Sequence, residues 1–214
     1  IEDPVEYQLD IINQNQVNDA IGLSFPKILK HVLRQDPDII MIGEMRDRQT
    51  AEIAVQAALT GHLVLTTLHT NDTLGAVSRL VEMGVEPYLL SSALIGVMAQ
   101  RLVRRVCQGC RTSYLATPEA TAAYRWRGQG DLRLMRGRGC PACYDSGYKG
   151  RMGIYELLEV RPDLQRMIVA HASKDQLAAH LPSTGHHDLY ADGMARAFDG
   201  HTTPEEIARV VHSL

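Results

Sequence analysis

The feature that most restricts the fold is a strand–helix–strand pattern between residues 34 and 73. Residues 38–42 and 63–67 are apolar runs that read as strands, and a helix is expected between them from about residue 50 to 60. A unit of this length favours two parallel strands joined by a right-handed crossover. Ligands bind at the carboxyl ends of such strands. Glu44 and His69, which follow the two strands, are therefore expected to face one crevice.

Composition and charge exclude several other classes of protein. The 214 residues carry a net charge of −3, so no overall basic field favours nucleic acid. No apolar run approaches the roughly 20 residues that a membrane-spanning helix needs. The chain begins at Ile1, without a Met or a signal peptide. We therefore expect a fragment of a longer protein, with its N-terminal part missing.

Acidic residues follow both the first predicted strand and the start of the chain. Glu44 occupies a strand end, where P-loop nucleotidases place an acid that orders Mg²⁺ or activates the attacking water. The alternative is an exposed loop glutamate paired with Arg46. Glu2, Asp3 and Glu6 form a second cluster around a proline. This cluster is expected to face a cation or to be a solvated turn.

Two histidines flank the second strand. His62 precedes it and His69 follows it. A lone histidine is usually structural, but His69 lies at the strand end that should point towards Glu44. An imidazole at that position could bond a γ-phosphate and report its loss.

Four cysteines form two CxxC pairs separated by 29 residues, Cys107/Cys110 and Cys140/Cys143. Four thiolates satisfy the tetrahedral preference of Zn²⁺ and leave no open position for catalysis. We therefore expect structural zinc, with free thiols or a disulfide as the alternatives. A helix from about residue 118 to 126 is expected to span the gap between the pairs.

The remaining segments complete a three-domain prediction. Residues 89–102 are expected to form a helix that ends in Arg101, Arg104 and Arg105, which either contact an acidic partner or lipid or answer the helix dipole. Residues 150–160 are expected to form a strand, followed by helices at 162–170, 174–180, 187–198 and 203–211. The predicted domains are residues 1–106, 107–149 and 150–214.

Three motifs, in this order, resemble those of the type II secretion and type IV pilus assembly ATPase family. IEDPVEY is similar to its Asp box, DPDIIMIGEMRD to its Walker B motif and GHLVLTTLHTNDT to its His box. The tetracysteine region is similar to the metal-binding subdomain of the secretion and pilus-extension members. The resemblance implies an α/β fold, namely the C-terminal part of a RecA-like P-loop NTPase core with a zinc subdomain and a C-terminal helical region.

The resemblance also implies roles for individual residues and cofactors. Glu44 matches the glutamate that activates the hydrolytic water, and Glu6 matches a second glutamate required for hydrolysis. The cofactors implied are ATP with Mg²⁺ and structural Zn²⁺. The residues expected near the nucleotide and its metal are Glu2, Asp3, His62 and His69, and those expected to bind zinc are Cys107, Cys110, Cys140 and Cys143.

The implied partners are five further copies in a homo-hexamer and the inner-membrane platform proteins of a secretion or pilus system. The implied location is cytoplasmic, peripheral at the inner membrane, without nucleic acid. One departure is that the Walker A loop, GxxxxGK[ST], is absent from the sequence. We therefore expect the chain to be inactive alone. The alternatives are a zinc-stapled docking module and a DNA-translocating or conjugation-type secretion ATPase.

Overall fold

A computed structural model describes residues 1–124 and 126–211, and within them the chain is a mixed α/β structure. The helices, α1 to α9 in chain order, are Phe25–Val32, Arg48–Leu59, Thr73–Glu82, Pro87–Ala93, Pro118–Ala123, Pro162–Val169, Lys174–His180, Leu189–Phe198 and Pro204–Val210. The strands, β1 to β6, are Ile39–Ile42, Leu63–Thr66, Gly96–Val106, Arg111–Leu115, Arg133–Gly137 and Tyr148–Glu159. Within the described ranges the strands pair as β1–β2, β3–β6 and β4–β5.

The chain divides into two compact units. The first contains Ile1–Val97 and Leu158–Leu181, and the second contains Met98–Leu157 and the residues from Pro182 onward. Compactness does not by itself define a domain, so the three-domain division at residues 106 and 149 stays a prediction. Among the described residues, no helix combines the length and apolar character needed to span a membrane.

The first unit is built on the predicted strand–helix–strand pattern. Strands β1 and β2 are parallel, with Ile39 opposite Leu63 and Ile42 opposite Thr66, and α2 connects them. Asp47 caps α2 by accepting a hydrogen bond from the backbone N–H of Thr50 at 2.8 Å. The parallel pair is confirmed.

Strand β1 is apolar at every residue, a pattern typical of a parallel strand that is buried on both faces, but only one of its faces is buried. Ile40 and Ile42 lie in the core with residues of α1 and α2, whereas Ile39 and Met41 are exposed. Leu63 and Leu65 of β2 are exposed as well. A continuously apolar strand has both faces buried only where helices cover both faces of the sheet. We call the exposed side, with Ile39, Met41, Leu63 and Leu65, the outer face.

The predicted helix over residues 89–102 is also wrong in its second half. Helix α4 ends at Ala93, and β3 begins at Gly96. Along β3, Val97 and Ala99 are more covered than Met98 and Gln100, and this period of two is that of a strand. Arg101, Arg104 and Arg105 therefore lie on a strand, and the helix-dipole interpretation of that run does not apply.

The second unit packs α8 and α9 on β3 and β6. Its core contains Val103, Ile154, Leu189, Met194 and Ile207. Helix α9 begins as predicted, with the Thr203 side chain accepting from the backbone of Glu206 at 3.2 Å. Strands β4 and β5 are antiparallel neighbours. Helix α5 between them ends at Ala123, three residues before the predicted end.

Candidate functional site

The loops that leave the carboxyl ends of β1 and β2 run side by side. The Thr67 hydroxyl donates to the Gly43 carbonyl at 2.5 Å. The Met45 backbone N–H donates to the Thr67 carbonyl at 3.1 Å. These bonds continue the pairing of the strands past their ends, so the residues that follow are held close to one another.

Glu44 and His69 meet at this edge of the sheet, as the order of the strands predicts. His69 Nε2 lies 3.2 Å from Glu44 Oε2. Arg46 Nε contacts the same oxygen at 2.5 Å. The Glu44 side chain is only 13% exposed, whereas His69 is largely open to solvent. The site is therefore a covered carboxylate contacted by two exposed nitrogen groups. One of them belongs to Arg46, so the Glu44–Arg46 pair that the alternative interpretation predicted is also present.

Glu2 lies beside the same strand end. The Ile1 carbonyl accepts from the Gly43 backbone N–H at 2.7 Å, and the Glu2 carboxylate accepts from the Gln14 amide at 2.8 Å. A Cβ on Gly43 would lie 3.2 Å from the Ile1 carbonyl oxygen and 3.5 Å from Glu2 Cα. Glycine at position 43 therefore permits the close approach of the two segments, and it places Glu2 next to the residue that precedes Glu44.

The other predicted site residues lie apart from the Glu44–His69 contact. Asp3 and Glu6 are exposed in the loop that follows Glu2. His62 lies at the opposite end of β2, where its Nδ1 is 2.9 Å from the Ala57 carbonyl oxygen. The four strand residues put roughly 13 Å between the two ends. The catalytic roles of these residues stay predictions.

The four cysteines form the second candidate site. All four sulfur atoms lie within 4.8 Å of one another. The Cys107–Cys140 and Cys110–Cys143 distances are both 3.9 Å, and the Cys140–Cys143 distance is 3.7 Å. Tetrahedral Zn²⁺ with Zn–S bonds of about 2.3 Å requires sulfur atoms roughly 3.8 Å apart. The cluster therefore fits a tetrahedral metal ion.

The thiols of this cluster differ in acidity. Burial raises the pKa of Cys110 to about 11. Burial acts in the same direction on Cys143, but backbone hydrogen bonds from Cys140 and Gly147 outweigh it and lower the pKa of Cys143 to about 7. The thiolate is the form that binds metal. Metal binding to the cluster would therefore release protons.

A contact that sequence reasoning missed secures the loop after His69. Asp72 caps α3 by accepting from the Gly75 backbone N–H at 2.6 Å. Its second oxygen accepts from Lys174 Nζ at 2.8 Å, across 102 residues of sequence. No local pattern marks such a pairing, because Asp72 already fits the ordinary N-cap rule by itself and Lys174 lies 102 residues away in the sequence.

Comparison with known proteins places the chain in a family. A family model described as "Type II/IV secretion system protein" matches residues 1–209. Type II secretion system protein E of Pseudomonas aeruginosa is 47% identical over 98% of the chain and 42% of its own length. The type IV pilus assembly ATPase PilB of Thermus thermophilus is 50% identical over 97% of the chain and 24% of its own length.

Solved structures share the fold. The pilus retraction motor PilT, crystallised with bound ADP, superposes with a TM-score of 0.65 at 26% identity, covering 97% of this chain and 50% of that one. The Legionella pneumophila ATPase DotB gives a TM-score of 0.63 at 19% identity, covering 96% of this chain and 48% of that one, and so supports the fold alone.

The RecA-like fold expected from the sequence motifs is confirmed by these structures. The chain spans about two fifths of the length of the type II secretion relative, 42%. The match to the family model covers nearly every residue, including both loops at the ends of β1 and β2 and all four cysteines. This chain belongs to the type II/IV secretion system protein family.

Proposed function

We propose that this chain is the C-terminal part of an ATPase that hydrolyses ATP to power type II protein secretion or type IV pilus assembly. The observation that carries the proposal is the contact between Glu44 and His69 at the carboxyl ends of two parallel strands. This is where an open α/β sheet binds its ligand. Relatives from both systems are named as ATPases, namely the type II secretion system ATPase E of Vibrio cholerae and the type IV pilus assembly ATPase PilB of Thermus thermophilus.

In the proposed reaction Glu44 accepts a proton from the attacking water. The water oxygen forms a bond to the γ-phosphorus. The bond between that phosphorus and the β–γ bridging oxygen breaks, and its electron pair leaves with ADP. His69 donates to Glu44 from Nε2 and to the γ-phosphate from Nδ1, as the imidazolium form with its two donors allows. Glu6 acts as a second glutamate of the hydrolytic site.

The chain's carboxylates suit the metal ion of such a reaction. Glu2 and Asp3 offer the hard oxygen ligands that Mg²⁺ prefers, and Mg²⁺ would neutralise charge on the phosphates. His62, although it lies at the opposite end of β2 from His69, stays proposed as a residue near the nucleotide in the complete protein. Since GxxxxGK[ST] is not in the sequence, the phosphates would be bound by a part of the complete protein outside these residues.

Zinc binding, oligomeric assembly and cellular location complete the proposed function. The cysteine cluster would hold structural Zn²⁺, which its sulfur spacing supports. The complete protein would act as a homo-hexamer, bound to inner-membrane platform proteins on the cytoplasmic side. The three predicted domains, 1–106, 107–149 and 150–214, are proposed as its C-terminal region.

The test is the Glu44→Gln substitution in the complete protein. An amide cannot take the proton from water, so ATP turnover should fall by about 10² or more. Nucleotide affinity should change little, because the amide retains the shape of the side chain. The measurements are phosphate release and binding of a fluorescent ATP analogue.

A matched control is Glu52→Gln, which removes an exposed glutamate of α2 that pairs with Arg48 at 2.6 Å. This control should leave turnover unchanged. Undiminished turnover in the Glu44→Gln protein would show that Glu44 is not the base.

A further inference from the structure

We propose that Arg46 is a positioning residue for Glu44. Its guanidinium would fix the carboxylate so that Oε1 is the oxygen that takes the proton from water. The inference rests on the ATP hydrolysis proposed above and goes further by assigning a role to a third side chain of the site.

Arg46 and His69 contact the same oxygen of Glu44. Arg46 Nε and His69 Nε2 both make their closest contact with Oε2 of Glu44, at 2.5 and 3.2 Å. Each carboxylate oxygen offers about two lone-pair sites. Oε2 is thus engaged by an ion pair with Arg46 and a hydrogen bond with His69, which leaves Oε1 as the oxygen better placed to meet water. The base would therefore act through Oε1.

The backbone on either side of Arg46 is fixed. Met45 is buried, and its N–H donates to the Thr67 carbonyl at 3.1 Å. Asp47 caps α2 through the backbone N–H of Thr50 at 2.8 Å and the Thr50 hydroxyl at 2.6 Å. The Arg46 side chain thus projects from a short loop whose two ends are held by hydrogen bonds. The fold therefore fixes the position from which the guanidinium contacts Glu44.

The contact also differs from an ordinary surface ion pair. Two exposed, mobile side chains gain little from pairing. Here Arg46 is 65% exposed, but its partner is 13% exposed and is held from a second direction by His69. A covered carboxylate held by an ion pair on one side and a hydrogen bond on the other has a single favoured orientation. Loss of Arg46 would let the Glu44 carboxylate rotate while the rest of the residue stays in place.

Misorientation of a base affects the chemical step more than substrate binding. In the complete protein, Arg46→Ala should lower kcat for ATP hydrolysis by about tenfold or more, with KM for MgATP changed by less than about twofold. Arg46→Lys, which keeps the charge but loses the planar fork, should give an intermediate kcat. It also serves as the test variant if Arg46→Ala does not fold.

A neighbouring arginine supplies the control. Arg48 is 69% exposed and pairs with Glu52, one turn along α2, rather than with Glu44. Arg48→Ala should leave kcat unchanged. The three variants should have thermal unfolding midpoints close to that of the wild type.

A second arm asks whether Arg46 acts through Glu44. In a Glu44→Gln background, Arg46→Ala should lower the residual turnover by less than about twofold, because the group it orients is gone. A similar tenfold fall in both backgrounds would overturn the inference and show an independent role for Arg46.

The remaining outcomes separate this inference from the proposed function. An active wild type with Arg46→Ala at full kcat, or with the loss confined to KM, overturns the inference alone. A wild type that hydrolyses no ATP overturns the proposed function and this inference together.

Discussion

At the scale of single residues, Glu206 shows how one buried carboxylate organises part of the second unit. It accepts hydrogen bonds from the backbone and guanidinium of Arg104 and from the guanidinium of Arg209, at 2.6–3.0 Å. Burial acts to raise the pKa of Glu206, but the donors of Arg209 and Arg104 outweigh it and lower the pKa to about 2. The carboxylate therefore binds protons less readily in the folded than in the unfolded chain.

This depressed pKa predicts a dependence of stability on pH. The contribution of Glu206, up to about 3 kcal/mol, is fully present above its unfolded pKa of about 4.5 and is lost as pH falls towards 2. Glu206→Gln should lower the free energy of unfolding by about that amount at pH 7. The difference between variant and wild type should shrink below about pH 4.5.

The measurement is urea unfolding followed by the fluorescence of Trp126, the single tryptophan of the sequence. Its ring packs edge-on against Phe198, with the two ring centroids 4.9 Å apart. A difference between variant and wild type that stays constant from pH 7 to pH 2 would contradict this assignment.

Sequence reasoning found some residues of the site and not others, for a physical reason. Glu44 and His69 could be placed together because parallel strands bring their carboxyl ends to one edge. The sequence pattern predicts that α2 begins near residue 50, whereas the helix begins at Arg48 with Asp47 as its N-cap. Which of two nearby polar side chains turns back onto the helix depends on local backbone angles, and residue types alone do not fix these.

At the scale of elements, the cysteine cluster depends on a close approach of two backbone segments. Gly147 has φ of +74°, and a Cβ there would lie 2.7 Å from the Gly137 carbonyl oxygen. The Gly147 carbonyl accepts from the Cys107 backbone N–H at 2.9 Å. A side chain at position 147 would therefore push the end of β5 away from a segment that positions Cys107, one of the four clustered cysteines.

Gly147→Ala should lower the free energy of unfolding of the second unit by about 2 kcal/mol or more beyond the backbone strain of a left-handed residue. Gly130→Ala is the matched control. Gly130 has φ of +79°, and a Cβ there would meet no heavy atom of the described residues within 4 Å beyond its own chain neighbours. Urea unfolding of the two variants gives the comparison. Equal losses would show that the close approach does not matter.

Metal removal should also act on this element. The segment around the cysteines has few apolar residues of its own, so bound Zn²⁺ is expected to contribute folding free energy. We expect one zinc ion per chain. Chelation should lower the thermal unfolding midpoint by about 10 °C or more, because a loss of a few kcal/mol shifts the midpoint of a domain of this size by that much. Cys140→Ser should reproduce the effect. A purified chain that contains no zinc and ignores the chelator would contradict this expectation.

The element that sequence reasoning misassigned is β3. Residues 89–102 are mostly apolar, and a short, mostly apolar run does not by itself distinguish a helix from a strand. What decides the matter is the partner strand β6, about fifty residues later, which provides the hydrogen bonds for β3. Information of that kind is not local.

At the scale of the whole molecule, the order β1, α2, β2 could be predicted, but the grouping of elements into compact units could not. The three motifs follow a strand-and-helix order that the structure contains. The first compact unit, however, takes Leu158–Leu181 from late in the chain. Its helices α6 and α7 pack on α4 and α3. Such long-range packing is decided by complementary surfaces, which no periodicity within one segment reveals.

The outer face of β1 and β2 has a consequence for the behaviour of this chain in solution. Contiguous exposed apolar side chains on a flat sheet promote association between molecules. Light scattering should show particles that grow with protein concentration, and a hydrophobic dye should fluoresce in proportion. Replacing Met41 and Leu65 together by Lys should suppress both signals while leaving the unfolding midpoint nearly unchanged. Purification of this chain alone is therefore expected to be limited by colloidal stability before folding stability becomes a concern.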